Sequence, residues 1–194
     1  MRWACVLLAA CLFLCPLQAI GETDILRSEV FLVVLLKALN YDRKIDRIAE
    51  GKIVIGIIYI NGDGQAQSFA QKIKDSYQEI QSTTQIKNLP TDCKILGLDK
   101  TIDRKTLEEE LKQDHISVVV VANQEADSNK VIFDTTRALS IDSVCYSSQC
   151  VKEGGGLGIV PKNNRSQILV NMSAVGQEGS DYTGQFLDLC EAVK

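Results

Sequence analysis

The sequence predicts an α/β fold: a single three-layer sandwich, built on a mostly parallel sheet with helices on both faces and closed by a C-terminal antiparallel hairpin plus helix. Three observations carry that prediction. From Lys52 to Val144, short β-branched runs alternate with segments of helical period, the order of parallel strands joined by crossover helices. The first run, Ile53-Val54-Ile55-Gly56-Ile57-Ile58-Tyr59-Ile60, is continuously apolar, as a strand covered on both faces must be. Beyond Gly154 the alternation stops. Two further β-branched runs are separated by Pro161-Lys162-Asn163-Asn164-Arg165-Ser166, a cluster of turn formers that joins them as a hairpin.

The elements follow in order. After Thr23-Asp24 comes a helix from Ile25 to about Leu39, whose middle, Val30 to Leu36, is apolar on every side. Such a helix is buried whole or shared with another chain, and a run that short cannot cross a bilayer. Asn61-Gly62-Asp63-Gly64 turns the first strand into a helix whose stripe is Ala66, Phe69, Ala70, Ile73, Tyr77 and Ile80. Cys93 to Leu98 is strand-like, and Asp103 caps a helix running through Leu111. Val118 to Val121 forms a third strand, ended by Asn123-Gln124. Ser128 is a cap for a helix using Val131, Ile132, Thr135 and Leu139, and Ser140 to Val144 is a fourth strand. Gly154-Gly155-Gly156 lets the backbone bend into the hairpin. Tyr182, Phe186, Leu189, Cys190 and Val193 then recur at helical spacing behind Asp181, a candidate cap.

Met1-Arg2 followed by the apolar run Trp3 to Leu17 has the form of a secretory signal peptide, with Ala19 as the small residue before the cut. Residues 1–19 are therefore expected to be removed, leaving 20–194 as one domain with no membrane span. Leu8-Ala9-Ala10-Cys11 looks like a lipoprotein box, but too few apolar residues precede it. Removal of the leader leaves Cys93, Cys145, Cys150 and Cys190, a set that allows three full pairings in an oxidising compartment. Cys145 and Cys150 are close enough in sequence to bridge locally, or stand as two unrelated buried thiols. Cys93 and Cys190 read as small core hydrophobes. A net charge of -4 without a basic block argues against nucleic-acid binding.

The inventory for catalysis is thin. His115 is the single histidine, placed before a buried strand beside Asp114, and reads as a surface loop residue. No zinc-site spacing appears, and Ser147-Ser148 lack a nucleophile-elbow pattern. No catalytic residue, metal or cofactor is expected. The Asn61–Gly64 turn has the right position for a phosphate, yet it lacks the Walker lysine and the dinucleotide fingerprint. In open α/β sheets a ligand sits beyond the carboxyl ends of the strands. Those ends carry Asn61, Asp63, Gly64, Asn123, Gln124, Tyr146 and Ser147, a polar set suited to recognising a ligand or a partner.

Gly154–Gly158, the run Ile168-Leu169-Val170-Asn171-Met172-Ser173-Ala174 and Gln185-Phe186-Leu187-Asp188-Leu189 resemble the C-terminal end of the YfiR-like (YfiR/HmsC) family of secreted bacterial regulators. Leu35-Leu36-Lys37-Ala38-Leu39-Asn40-Tyr41-Asp42-Arg43 is similar to the front of one branch of it. The resemblance implies an α/β sandwich in the periplasm, a cysteine pair near Cys145 and Cys150, and a non-enzymatic role. It further implies that the chain binds the periplasmic region of a membrane-bound signalling protein, such as a diguanylate cyclase of cyclic-di-GMP signalling, and represses it. A homodimer through the N-terminal helix fits that reading. The alternative is a periplasmic small-molecule binding module, since the sheet resembles one lobe of a solute-binding protein.

Overall fold

The computed structural model describes residues 27–47, 49–123, 126–163 and 165–193. The leader expected over residues 1–19 and the strand-end residue Gln124 lie outside the described residues. In chain order the elements are α1 (Ser28–Leu39), β1 (Ile53–Ile60), α2 (Gly64–Ile80), β2 (Gln85–Ile86), β3 (Leu89–Leu98), α3 (Arg104–Gln113), β4 (Val118–Val121), α4 (Ala126–Leu139), β5 (Asp142–Cys145), α5 (Ser148–Lys152), β6 (Leu157–Lys162), β7 (Arg165–Val170), α6 (Met172–Glu178), α7 (Gly184–Leu187) and β8 (Cys190–Ala192).

The strands form one sheet in the order β2-β3-β1-β4-β5-β6-β7-β8. Strands β3, β1, β4, β5 and β6 are mutually parallel, β6 and β7 make the antiparallel hairpin, and β8 runs parallel to β7. Numbered among themselves, the parallel strands stand 2-1-3-4-5, so the winding reverses between β1 and β4.

The period of two along β1 sorts its side chains between two cores. Ile53, Ile55 and Ile57 pack under α1 and α2 with Phe31, Leu35, Phe69 and Ile73. Val54, Ile58 and Ile60 face the opposite layer, built from Leu107 and Leu111 of α3, Ile132 and Phe133 of α4 and Val151 of α5. Each such buried aliphatic side chain contributes about 1.5–3 kcal/mol. The all-apolar middle of α1 divides as well. Phe31, Leu32, Leu35, Leu36 and Leu39 are buried, while Val30 and Val33 remain 40% and 46% exposed.

The tail departs from a single helix. Tyr182 and Phe186 are buried as their spacing predicts, but α7 lasts one turn and the chain then extends as β8. Leu189, assigned to the apolar stripe, is 69% exposed at that bend. Parallel pairing of Ile168 with Cys190 and of Val170 with Ala192 satisfies the last backbone groups, which a lone terminal helix would leave to solvent. The cap of α7 is Thr183, whose hydroxyl accepts from Phe186 N, and Asp181 instead pairs with Arg43.

A buried polar knot ties residues 42–47 and 178–182 to the start of β5. Arg47 Nη2 donates to Ser140 O at 2.6 Å, to Asp142 Oδ1 at 2.7 Å and to Glu178 O at 2.8 Å, and its Nη1 reaches Asp42. Asp42 Oδ1 accepts from Lys44 N and Asp181 N, and Asp42 also bridges backbone-to-backbone with Tyr182. Beside this knot Glu178, 1% exposed, accepts from Ser143 N at 3.1 Å and lies 2.5 Å from Ser143 Oγ and 3.1 Å from Thr136 Oγ1. Burial outweighs the pull of Arg47 and lifts Asp142 to about 6; burial likewise pushes Glu178 up to about 8.

Candidate functional site

Because β1, β4 and β5 are parallel, their carboxyl ends share one edge of the sheet, at the point where the winding reverses between β1 and β4. Five of the sequence-selected residues at that edge carry local duties. Asn61 is exposed and its Nδ2 donates to Asp99 Oδ1 at 3.0 Å. Asp63 is the N-cap of α2, its Oδ1 accepting from Gln65 N at 3.0 Å and Ala66 N at 2.9 Å. Gly64 opens that helix. Ser147 caps α5, its hydroxyl accepting from Cys150 N at 3.2 Å. Tyr146 is half-buried and stacks on Phe69, with ring centroids 4.6 Å apart, and Phe69 in turn meets Phe31 edge-on at 5.5 Å.

Asn123 is different. It follows β4 and is fully buried, 0% exposed. The β1–β4–β5 register sets it between the end of β1 and Ser147. Its Nδ2 donates to Asn129 Oδ1 at 2.7 Å, and Asn129 Nδ2 donates to Glu153 Oε2 at 2.6 Å. Glu153 Oε1 accepts from Gln149 Nε2 at 3.0 Å. At the other end of this relay Asn123 Oδ1 has no partner among the described residues. Asn129, Gln149 and Glu153 were absent from the sequence-selected set. A signal for Asn129 was present: it shares the buried stripe of α4 with Ile132, Phe133 and Thr136, and a polar side chain in such a stripe must be hydrogen-bonded.

The disulfide Cys145–Cys150 is formed, with its Cα atoms 5.8 Å apart, and it holds α5 and its part of the relay against the end of β5. Both cysteines are buried in the α3–α4–α5 core. Among the described residues Cys93 and Cys190 are free thiols, and burial pushes them up to about 12 and about 11, far from reactive thiolates.

His115 stands apart from this edge. It follows α3 at the amino end of β4, with its Nδ1 3.0 Å from Glu50 Oε2. A cleft of about 230 Å³ beside it is floored by Leu111, Ile116, Leu139 and Ile141. Among the described residues no group of acidic, histidine and cysteine side chains is arranged to hold a metal, and no helix is long and apolar enough to cross a membrane.

No family model and no curated protein matches the chain. Solved structures do. A conserved domain protein from Vibrio cholerae O1 biovar eltor aligns at 12% identity and TM-score 0.57, over 86% of this chain and 60% of its own. The ligand-free, open structure of CD0873, a substrate binding protein with adhesive properties from Clostridium difficile, aligns at 14% identity and TM-score 0.53, over 78% of this chain and 57% of its own. The ABC domain in complex with L-Trp from Streptococcus pneumonia aligns at 8% identity and TM-score 0.52, over 80% of this chain and 60% of its own. What is shared is the fold. This chain spans 57% to 60% of the length of these neighbours.

Proposed function

We propose that this protein is a non-enzymatic binding module that takes a small polar molecule at the carboxyl ends of β1, β4 and β5. The observation that carries this reading is Asn123: a fully buried amide, held on one side by Asn129 and unpartnered on the other, at the reversal point of an open α/β sheet. Solved neighbours named for substrate binding and for a complex with L-Trp support the same reading. A thermal-shift screen of metabolite classes tests it. One class should raise the melting temperature in proportion to the logarithm of its concentration, and Asn123→Leu should abolish the rise. A screen with no stabilising class, or stabilisation untouched by that substitution, sinks it.

The second reading comes from the resemblance to YfiR-like proteins. In it the module acts in the periplasm, binds the periplasmic region of a membrane-bound signalling protein, and holds that protein inactive. The buried disulfide fits an oxidising compartment, and the exposed Val30 and Val33 on α1 offer a contact for a second copy. Co-purification from detergent-solubilised envelopes should then recover one membrane protein reproducibly. Recovery of none counts against this reading and leaves the first intact.

A further inference from the structure

The polarity of the relay names the chemistry that the site accepts. An ionised carboxylate can only accept hydrogen bonds. Glu153 therefore fixes the direction of everything attached to it: the Asn129 amide must present Nδ2 to Glu153 Oε2, which turns its Oδ1 toward Asn123. The Asn123 amide must then present Nδ2 to Asn129, which leaves Oδ1 as the unpartnered atom. The buried end of the relay is thus an acceptor, and a buried acceptor is satisfied by a donor.

Anions meet the opposite condition at the same edge. The N-terminus of α2 lies where α/β proteins commonly seat a phosphate or carboxylate. Here Asp63 already fills that seat with its own carboxylate, accepting from Gln65 N and Ala66 N. Asp99 accepts from Asn61 Nδ2, two positions before Asp63. An incoming anion would face fixed negative charge and N–H groups already engaged. A cation would be drawn by the same charge, and a neutral N–H donor needs no free N–H group.

We propose that the ligand of the strand-end site bears an ammonium or other N–H donor group, received by Asn123 Oδ1. This inference rests on the binding-module reading above and narrows it to one chemical class. The polar relay is a selectivity device: Glu153 sets the orientation at one end, and discrimination appears at Asn123, two amides away.

The test compares L-amino acids with their matched α-keto acids, together with simple primary amines and inorganic phosphate, against the full disulfide-bonded protein by thermal shift and calorimetry. Amine-bearing members should bind, and the keto acids and phosphate should bind at least about tenfold more weakly, the loss expected for one charge-assisted hydrogen bond. Asn123→Leu should remove binding. Should that variant fail to fold, Glu153→Gln keeps the test sharp. A glutamine can present either an acceptor or a donor to Asn129, so the relay is free to reverse, and preference for amine over keto acid should fall toward unity. Equal binding of amine and keto acid by the wild type, or preferential binding of phosphate, overturns this inference while leaving the binding module standing. Undiminished discrimination in Glu153→Gln also overturns it. Failure of every class to bind overturns both.

Discussion

Glu178 shows how proton counting reads a buried side chain. Thr136 has one hydroxyl hydrogen, and Phe133 O accepts it at 3.0 Å. Ser143 has one as well, while its oxygen already accepts from Gly156 N at 2.8 Å. An ionised Glu178 would need donors from both hydroxyls, and Thr136 has none left. A protonated Glu178 donates to Thr136 Oγ1, accepts from Ser143, and leaves every group satisfied. Burial favours the same neutral form and lifts the group to about 8 from its ordinary 4.5. Because the folded value is the higher one, this stability is complete below about 4.5 and is lost as pH rises through about 8. Thermal unfolding should show a falling melting temperature from pH 6 to pH 9. Glu178→Gln, which mimics the protonated acid, should flatten that fall. Glu178→Ala should cost about 1–3 kcal/mol at every pH, because Ser143 N loses its partner. A wild-type curve that rises over this range would sink the assignment. None of this was legible in the sequence. A glutamate in a polar segment reads as exposed, and its partners lie 35 and 42 positions away.

At the scale of elements, legibility followed the range of the interaction. Asp103 was readable as a cap because the amide it binds lies three residues on. β1 was readable because burial on both faces leaves a continuous apolar run. α5 and β8 were not, since one is a single turn held by a disulfide and the other exists through pairing with β7. Asn171, just after β7, caps α6 by accepting from Ala174 N. The glycine-rich approach to β6 has a reason that became visible in three dimensions. Gly154 has φ of +126°, and a Cβ on Gly155 would collide with the Cys145 sulfur. Gly155→Ala should therefore destabilise by about 1–3 kcal/mol through overpacking against the bridge. The double substitution Cys145→Ser, Cys150→Ser should cost about 2 kcal/mol from the entropy of so short a loop, plus a penalty for placing hydroxyls in an apolar core. Denaturant unfolding of the two variants measures both losses. Because the sulfurs are buried, reduction of the wild type should follow local opening of α5. A thiol-reactive dye should find Cys145 and Cys150 silent in the native oxidised protein.

For the whole molecule, the sheet order decides what the parts can do together. Two cores on opposite faces leave the strand ends as the common edge. The neighbours of like fold have chains roughly a third to two-fifths longer. A compact monomer of this length has a radius of gyration of about 16 Å. Small-angle scattering of residues 20–194 should return about that value. A second copy seated on α1 through Val30 and Val33 would raise the value, and Val33→Lys should then restore it.

The knot around Arg47 has a further bearing on how the molecule comes into being. Residues 42–47 complete their bonds with partners at positions 140–142 and 178–182. A ribosome delivers the chain from its amino end, so Arg47 emerges long before the carbonyl of Glu178 exists to receive it. Residues 42–47 must then wait, solvated, while the central strands assemble, and they lock down only after residues 178–182 have emerged. A nascent chain arrested before residue 178 would carry strands β1 to β7 and an unfastened segment after α1, so protease sensitivity confined to residues 40–50 would report that delay.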